Sequence, residues 1–384
     1  MVRIIKIIFF LILSHFFLNL SFVKAQEKIK IGLLVPITGS NKEIGESLIK
    51  AVRLAVKDID SDLIEIIPKD TNTNPEKTLK SAIELKEEGI KIVIGPVFYK
   101  SLLYLDKIQD LTFLSLTNRT LDLPLNVISA GINSTSQFNT IKKFIKIKKI
   151  KKTLFLTPMQ DFEFEINEGI KKSKIKVFKE HVYNSAPTKL TRQIEEITKY
   201  KIRKQNLEDE INRVKNSNDP NKEKKIKKLE QRYSLGGLNF DAVMVSDFNE
   251  SLKSVFTSLL YTDVSPKKKY FITLNQWFDM SLQSEMDIQP LYYPSINRKN
   301  FENFKEKFFK EFSVYPSHLS LLSYDLVGLV YYLSLKTDLS NLEKIFKNKN
   351  SFKGKIGIFD IKNNTINHKL NFYKIENNET IKIF

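Results

Sequence analysis

The side chains able to do chemistry in this sequence are suited to holding a molecule rather than transforming one. Beyond the first 25 residues, histidine occurs only at His181, His318 and His368, never at a metal-ligand spacing. Cysteine is absent, which excludes disulfides, thiolate catalysis, cysteine-based metal sites and lipid attachment at a cysteine. No G-x-S-x-G, phosphate-cradling glycine loop or paired-carboxylate motif is present. The sequence therefore predicts neither an enzyme nor a cofactor. Charge is the other resource: 62 Lys and Arg against 44 Asp and Glu give a formal +18. That excess is spread among many Ile, Asn and Phe, as a general compositional bias would spread it. With no zinc-finger or RNA-recognition motif beside it, nucleic acid is not an expected partner; attraction to an anionic envelope surface stays open. The excess concentrates once, in residues 199–232, with 12 Lys or Arg against 6 Asp or Glu. There Leu207, Ile211 and Val214, then Ile226, Leu229 and Tyr233, recur at helical spacing on either side of Asn216-Ser217-Asn218-Asp219-Pro220. The pattern predicts a protruding antiparallel helical hairpin within 189–233. It is either a solvated decoration closed on itself or a docking arm for a partner or acidic polymer.

The elements around these groups alternate strand-like apolar runs with amphipathic helices, the pattern of an α/β fold with parallel sheets. Residues 29–35, 63–68 and 90–94 read as strands, with helices over 46–59 and 74–88 between them. The first helix shows Leu48, Ile49, Val52, Ala55, Val56 and Ile59 at helical spacing; the second opens on Asn74-Pro75 and stops at Gly89. Further strands are expected at 112–116, 126–129, 152–156, 240–246 and 269–274, and further helices at 301–312 and 320–335. Near the end, 355–361 and 368–375 alternate about Asn363-Asn364 like an antiparallel ribbon.

The opening residues read as an export signal. Arg3 and Lys6 precede an apolar run over 7–20, and Val23-Lys24-Ala25 offers small residues at −3 and −1 of a cleavage site. That run is shorter than the roughly 20 residues a membrane-spanning helix needs, so a periplasmic chain cleaved near Ala25 is expected, with no stable membrane insertion. The remaining 359 of 384 residues exceed what one core usually holds, so two lobes are expected.

Ile29-Lys-Ile-Gly-Leu-Leu-Val-Pro-Ile-Thr-Gly39, Gly45 and Ala51-Val-Arg-Leu-Ala-Val-Lys-Asp58 resemble the first βα unit of type I periplasmic binding proteins, the branched-chain amino-acid-binding group. Asp70-Thr-Asn with Pro75, Ile94-Gly-Pro96, Tyr324-Asp325 and Phe352-Lys-Gly-Lys-Ile-Gly-Ile-Phe359 continue the likeness in order over the mature chain. More narrowly, Ile66-Ile-Pro-Lys-Asp-Thr71, Gly95-Pro-Val-Phe98, Thr117-Asn118, Arg232-Tyr-Ser-Leu-Gly236 and Phe240-Asp-Ala-Val243 resemble the penicillin-binding protein activator branch, where the fold serves peptidoglycan synthesis. The resemblance implies two Rossmann-like lobes joined by three crossovers, near 130–134, 290–295 and 348–352. Lobe one would hold 27–132 and 292–348, lobe two 133–291 and 349–384, with the 189–233 hairpin inserted in lobe two.

The resemblance also implies a ligand cleft at strand ends between the lobes. Relatives hold a carboxylate with hydroxyls and backbone N–H groups of lobe one; here Tyr99, Ser101, Thr117 and Asn118 occupy the corresponding loops, though Ser101 and Thr120 equally suit helix caps. Lobe two would supply an aromatic and an acid, from Asp161 and Phe162 in one loop, Asp247 after another strand, and Asn275 and Trp277 after the next. Asn275 and Gln276 stand where amino-acid binders tend to carry an acid, and an amide holds an ammonium less strongly. Trp277, the only tryptophan, is either a platform for a sugar or peptide or a packing residue. The implied roles are a regulator contacting a peptidoglycan synthase or, alternatively, the small-polar-solute receptor of an ABC transporter, paired with its permease.

Overall fold

The computed structural model describes residues 28–336 and 342–384; the expected export signal lies outside them. Five strands come first, β1 (Ile29–Val35), β2 (Ile64–Asp70), β3 (Ile92–Ile94), β4 (Thr112–Ser115) and β5 (Val127–Ser129). Five more follow, β6 (Thr153–Pro158), β7 (Lys179–Tyr183), β8 (Ala242–Val245), β9 (Tyr270–Thr273) and β10 (Leu291–Ser295). The closing strands are β11 (Asn350–Lys353), β12 (Ile358–Lys362), β13 (Thr365–Lys369), β14 (Asn371–Glu376) and β15 (Glu379–Lys382). They form two sheets, in the orders β11-β12-β13-β5-β4-β3-β1-β2 and β15-β14-β10-β9-β8-β6-β7. Both are parallel through the middle and antiparallel at the late edge. This is two α/β lobes, as expected.

The first lobe shows how the sequence builds such a unit. β1 is buried along Ile31 to Val35, because helices cover both faces of a parallel sheet. The helix Lys42–Ile59 turns Leu48, Ala51, Val52, Leu54 and Ala55 inward and packs on the helix Ser320–Ser334. Full burial of each large aliphatic side chain stabilises by roughly 1.5–3 kcal/mol. Gly45 permits the approach: a Cβ there would sit 1.8 Å from the Pro36 carbonyl oxygen. Asp70, ending β2, fixes the turn after β1 by accepting from the N–H groups of Ile37 (2.8 Å) and Thr38 (3.1 Å) and from the Lys77 ammonium. Burial pushes its pKa up, but Lys77, the Thr38 hydroxyl and backbone donors outweigh that and hold the carboxyl well below its usual range.

The expected lobe boundary needs correction at the tail. β11, β12 and β13 join the first sheet, not the second, and only β14 and β15 belong to lobe two. The physical reason is the turn: Asn363 and Asn364 adopt φ 50° and 55°, the conformation of a two-residue hairpin. It folds β12 back on β13, while Phe359, Ile361 and Ile366 bury themselves in the core. The chain therefore crosses at Leu370, not at 348–352, and leaves the second sheet only after β10, which spans the expected 290–295 crossover. The three crossings are stitched together. Asn133 donates through Nδ2 to the Ile366 carbonyl (2.9 Å) and accepts from the Ser136 N–H (2.9 Å). His368 Nε2 lies 2.9 Å from the Ala130 carbonyl oxygen, which requires the Nε2–H tautomer. Tyr373 donates its hydroxyl to the Ile296 carbonyl (2.9 Å) and accepts from the Arg298 N–H (3.0 Å).

The insertion is also shorter than 189–233. Its first part belongs to the helix Pro187–Thr198, a core element with Leu190 and Ile194 buried. The arm proper is the helix pair Tyr200–Lys215 and Lys222–Glu230. Leu207 and Val214 are buried, whereas Tyr233 is 75% exposed.

Candidate functional site

The cleft between the lobes opens where β3, β4, β8 and β9 end, and it holds a cavity of about 260 Å³. Of the expected residues, Tyr99, Thr117 and Asn118 line it from lobe one, and Asn275 and Trp277 from lobe two. Ser101, Asp161, Phe162 and Asp247 do not. Ser101 is buried in the short 3₁₀ turn Tyr99–Leu102. Asp161 is exposed, and Phe162 packs edge-on against Phe248 at 6.1 Å. Asp247 is consumed inside lobe two: its carboxylate accepts from the Tyr183 hydroxyl, the Ser251 hydroxyl (2.5 Å) and the Phe248 N–H (2.8 Å). The short side chains and turn geometry that produced this arrangement gave no periodic signal.

Arg119, His318, Gln137 and Phe248 line the cavity without having been singled out from sequence. Arg119 follows Asn118 in an expected loop, so its position was visible, but its role is not a local property. Its guanidinium lies 4.2 Å over the Tyr99 ring, and among the described residues it has no carboxylate partner. Asn275 is oriented unambiguously. Its Oδ1 accepts from the Ser295 hydroxyl (2.7 Å) and the Trp277 N–H (3.1 Å), and its own N–H donates to Gln137 Oε1 at 2.7 Å. The side-chain oxygen is thereby used, leaving the NH₂ group for the cavity. The second of these bonds holds an unusual loop: Trp277 and Phe278 both take left-handed backbone, φ 50° and 61°, at a cost of order 1–3 kcal/mol each.

That loop carries Trp277 across the cleft to His318 of lobe one, with ring centroids 5.0 Å apart. Burial lowers the His318 pKa, although part of the residue is exposed. Elsewhere the lobes meet again. Glu165, on the lobe-two helix Glu163–Ser173, accepts from the N–H groups of Thr120 (2.9 Å) and Leu121 (3.0 Å) and from the Thr120 hydroxyl (3.0 Å). The cleft is thus held shut by an aromatic contact and a carboxylate clasp. Its lining offers donors, namely the Arg119 guanidinium, the Asn275 amide and the Thr117 hydroxyl, but contains no Asp or Glu. Such a set can hold an anion or a carbonyl; it has no carboxylate for an ammonium.

Residues 28–201 match the family model described as periplasmic binding protein. Among solved structures, the LpoA C-domain from Haemophilus influenzae, named as a regulator of PBP1A, superposes with TM-score 0.62 at 14% identity, covering 92% of this chain and 100% of that one. The leucine-binding protein LivK from Thermotoga maritima gives 0.58 at 14% identity, over 93% and 98%. The substrate-binding protein LivJ from Streptococcus pneumoniae, solved with isoleucine, gives 0.55 at 15% identity, over 93% and 100%. This chain has the type I periplasmic binding protein fold. No curated protein matches it by sequence. Fold membership explains two quoted motifs. Asp325 of Tyr324-Asp325 accepts from the N–H groups of Lys355 and Ile356, each at 2.8 Å, and so ties the β11–β12 loop to lobe one. Burial raises its pKa to about 6 despite those bonds. Tyr324 donates to Asp58 at 2.5 Å on the same face. Among the described residues no helix is long and apolar enough to cross a membrane, and no group of His, Asp or Glu could hold a metal ion.

Proposed function

We propose that this protein is a periplasmic regulator of peptidoglycan synthesis that uses its binding-protein fold as a scaffold and meets a synthase through its surface. The observation that carries this reading is the polar inventory of the cleft. An α-amino acid needs donors for its carboxylate and an acid for its ammonium, and the lining supplies only the former. Asp247 is engaged with Tyr183 and Ser251 and Glu165 with the Thr120 loop, while the exposed Asp161 lies outside the lining. Meanwhile the arm of residues 200–230 is mostly surface, burying only Arg203, Leu207 and Val214, and the LpoA C-domain is a neighbour in fold. An expected export signal and the family match favour the periplasm.

The second reading, a solute receptor for an ABC transporter, is favoured by one feature: Arg119 stands unpaired in a cavity of about 260 Å³. Under that reading the solute is a small anion without an ammonium group. Surface-immobilised protein should capture the periplasmic domain of a bifunctional penicillin-binding synthase from the same cell. It should lose at least tenfold in affinity when residues 208–231 are replaced by a short Gly-Ser linker. Equal capture by both forms would remove the arm from the account, and no capture by either would remove the regulatory reading.

A further inference from the structure

The arm has a second use at its root. Where it meets lobe two, the motif Arg232-Tyr-Ser-Leu-Gly236 passes back over the first arm helix and encloses an open cavity of about 730 Å³. The crossing is fixed by the backbone: the Leu235 N–H donates to the Arg203 carbonyl at 2.8 Å, and Gly236 takes φ 134° above the Arg203 side chain. Four cations line the cavity, Arg203, Arg232, Lys268 and Lys269, against one carboxylate, Asp263. Neither held cation makes a direct ion pair, although Asp263 acts on Arg203 through space. Arg203, 4% exposed, donates to the Thr262 carbonyl and keeps a buried Nε with no partner. Lys269 donates to the Phe240 carbonyl. Arg232 and Lys268 are exposed, and Asp263 accepts the Ser234 hydroxyl at 2.5 Å.

A cavity lined by four cations and one carboxylate, two of the cations exposed, favours an anionic occupant, since charge-assisted hydrogen bonds to carboxylates are the strong ones. We propose that this cavity docks an acidic segment of a partner protein, a run of Asp and Glu side chains. At about 730 Å³ the cavity is larger than one small anion needs, and a peptide segment fits its size. Tyr233, 75% exposed within the lining, adds the amphipathic ring that anchors peptide contacts. The proposal rests on the regulatory reading and names the chemistry of its contact.

The test uses the mature chain and a fluorescein-labelled hexaglutamate peptide, with hexaglutamine as control. Hexaglutamate should bind, weakening as salt rises from 20 to 150 mM, and hexaglutamine should not. Arg232→Glu with Lys268→Glu should weaken binding at least tenfold with unchanged thermal melting, whereas Lys224→Glu with Lys228→Glu, of equal charge change, should weaken it less than threefold. Equal losses in the two double variants would overturn the pocket in favour of diffuse attraction. Binding of inorganic phosphate or phosphatidylglycerol vesicles without hexaglutamate would overturn the acidic-segment assignment. A synthase domain still captured by the Arg232/Lys268 variant would overturn the docking role and leave the regulatory reading standing.

Discussion

At the scale of single residues, His368 is the most informative titratable group. It lies at the third crossing with Nε2–H on the Ala130 carbonyl and Nδ1 buried without a partner. Burial lowers its pKa to about 4, against opposing hydrogen bonds to the backbone of Ala130 and Gly131. A histidine whose folded pKa lies below its unfolded value makes the unfolded state bind more protons, so stability falls as pH drops from about 6.5 toward 4. Urea unfolding should therefore show a loss of about 2 kcal/mol between pH 7 and pH 5 from this group. His368→Gln should flatten that slope, and an unchanged slope would place the acid sensitivity elsewhere. Glu165 makes a second residue-scale prediction. Glu165→Ala leaves the Thr120 and Leu121 N–H groups without their acceptor, at a cost of roughly 1–3 kcal/mol. Because Trp277 is the only tryptophan and touches His318 across the cleft, its emission should move to longer wavelength in that variant. An unmoved spectrum would show that the clasp does not hold the lobes together.

At the scale of elements, the legible parts were those with a period. The apolar run of β1 and the helical spacing of Leu48, Val52 and Ala55 are local patterns, and both elements stand where they were expected. The Asn363-Asn364 turn was legible too, since consecutive asparagines tolerate the left-handed backbone a tight hairpin demands. What the pattern could not show is which sheet each ribbon strand joins. β13 and β14 are separated by Leu370 alone, and both carry apolar residues suited to a sheet, so the choice between sheets rests on tertiary pairing. β7 was unreadable for another reason: an edge strand reading Lys-Glu-His-Val-Tyr buries only Tyr183. The arm fell between these cases. Its stripe of Leu207 and Val214 was visible, but the core helix Pro187–Thr198 runs into it across Lys199 with no break in polarity. Replacing residues 208–231 by a short linker should shift the thermal midpoint by only a few degrees, since the core contacts of Leu190 and Ile194 remain. Failure to fold would make the arm part of the core.

At the scale of the whole molecule, two lobes meet over a small cleft whose character is set by what its acids are doing elsewhere. Sequence could place Asn275 and Trp277 at the correct strand end, and Tyr99, Thr117 and Asn118 opposite them. It could not show that Tyr183 and Ser251 occupy Asp247, nor that Arg119 stacks on Tyr99, because each partnership joins residues from different elements. The proposed regulatory role rests on those facts. Calorimetric titration of the mature protein with leucine, isoleucine and glutamate at neutral pH tests this most directly. The account predicts no saturable heat from any of the three, in wild type or in Arg119→Gln. A saturable one-to-one isotherm in the micromolar range, lost in Trp277→Ala, would contradict it.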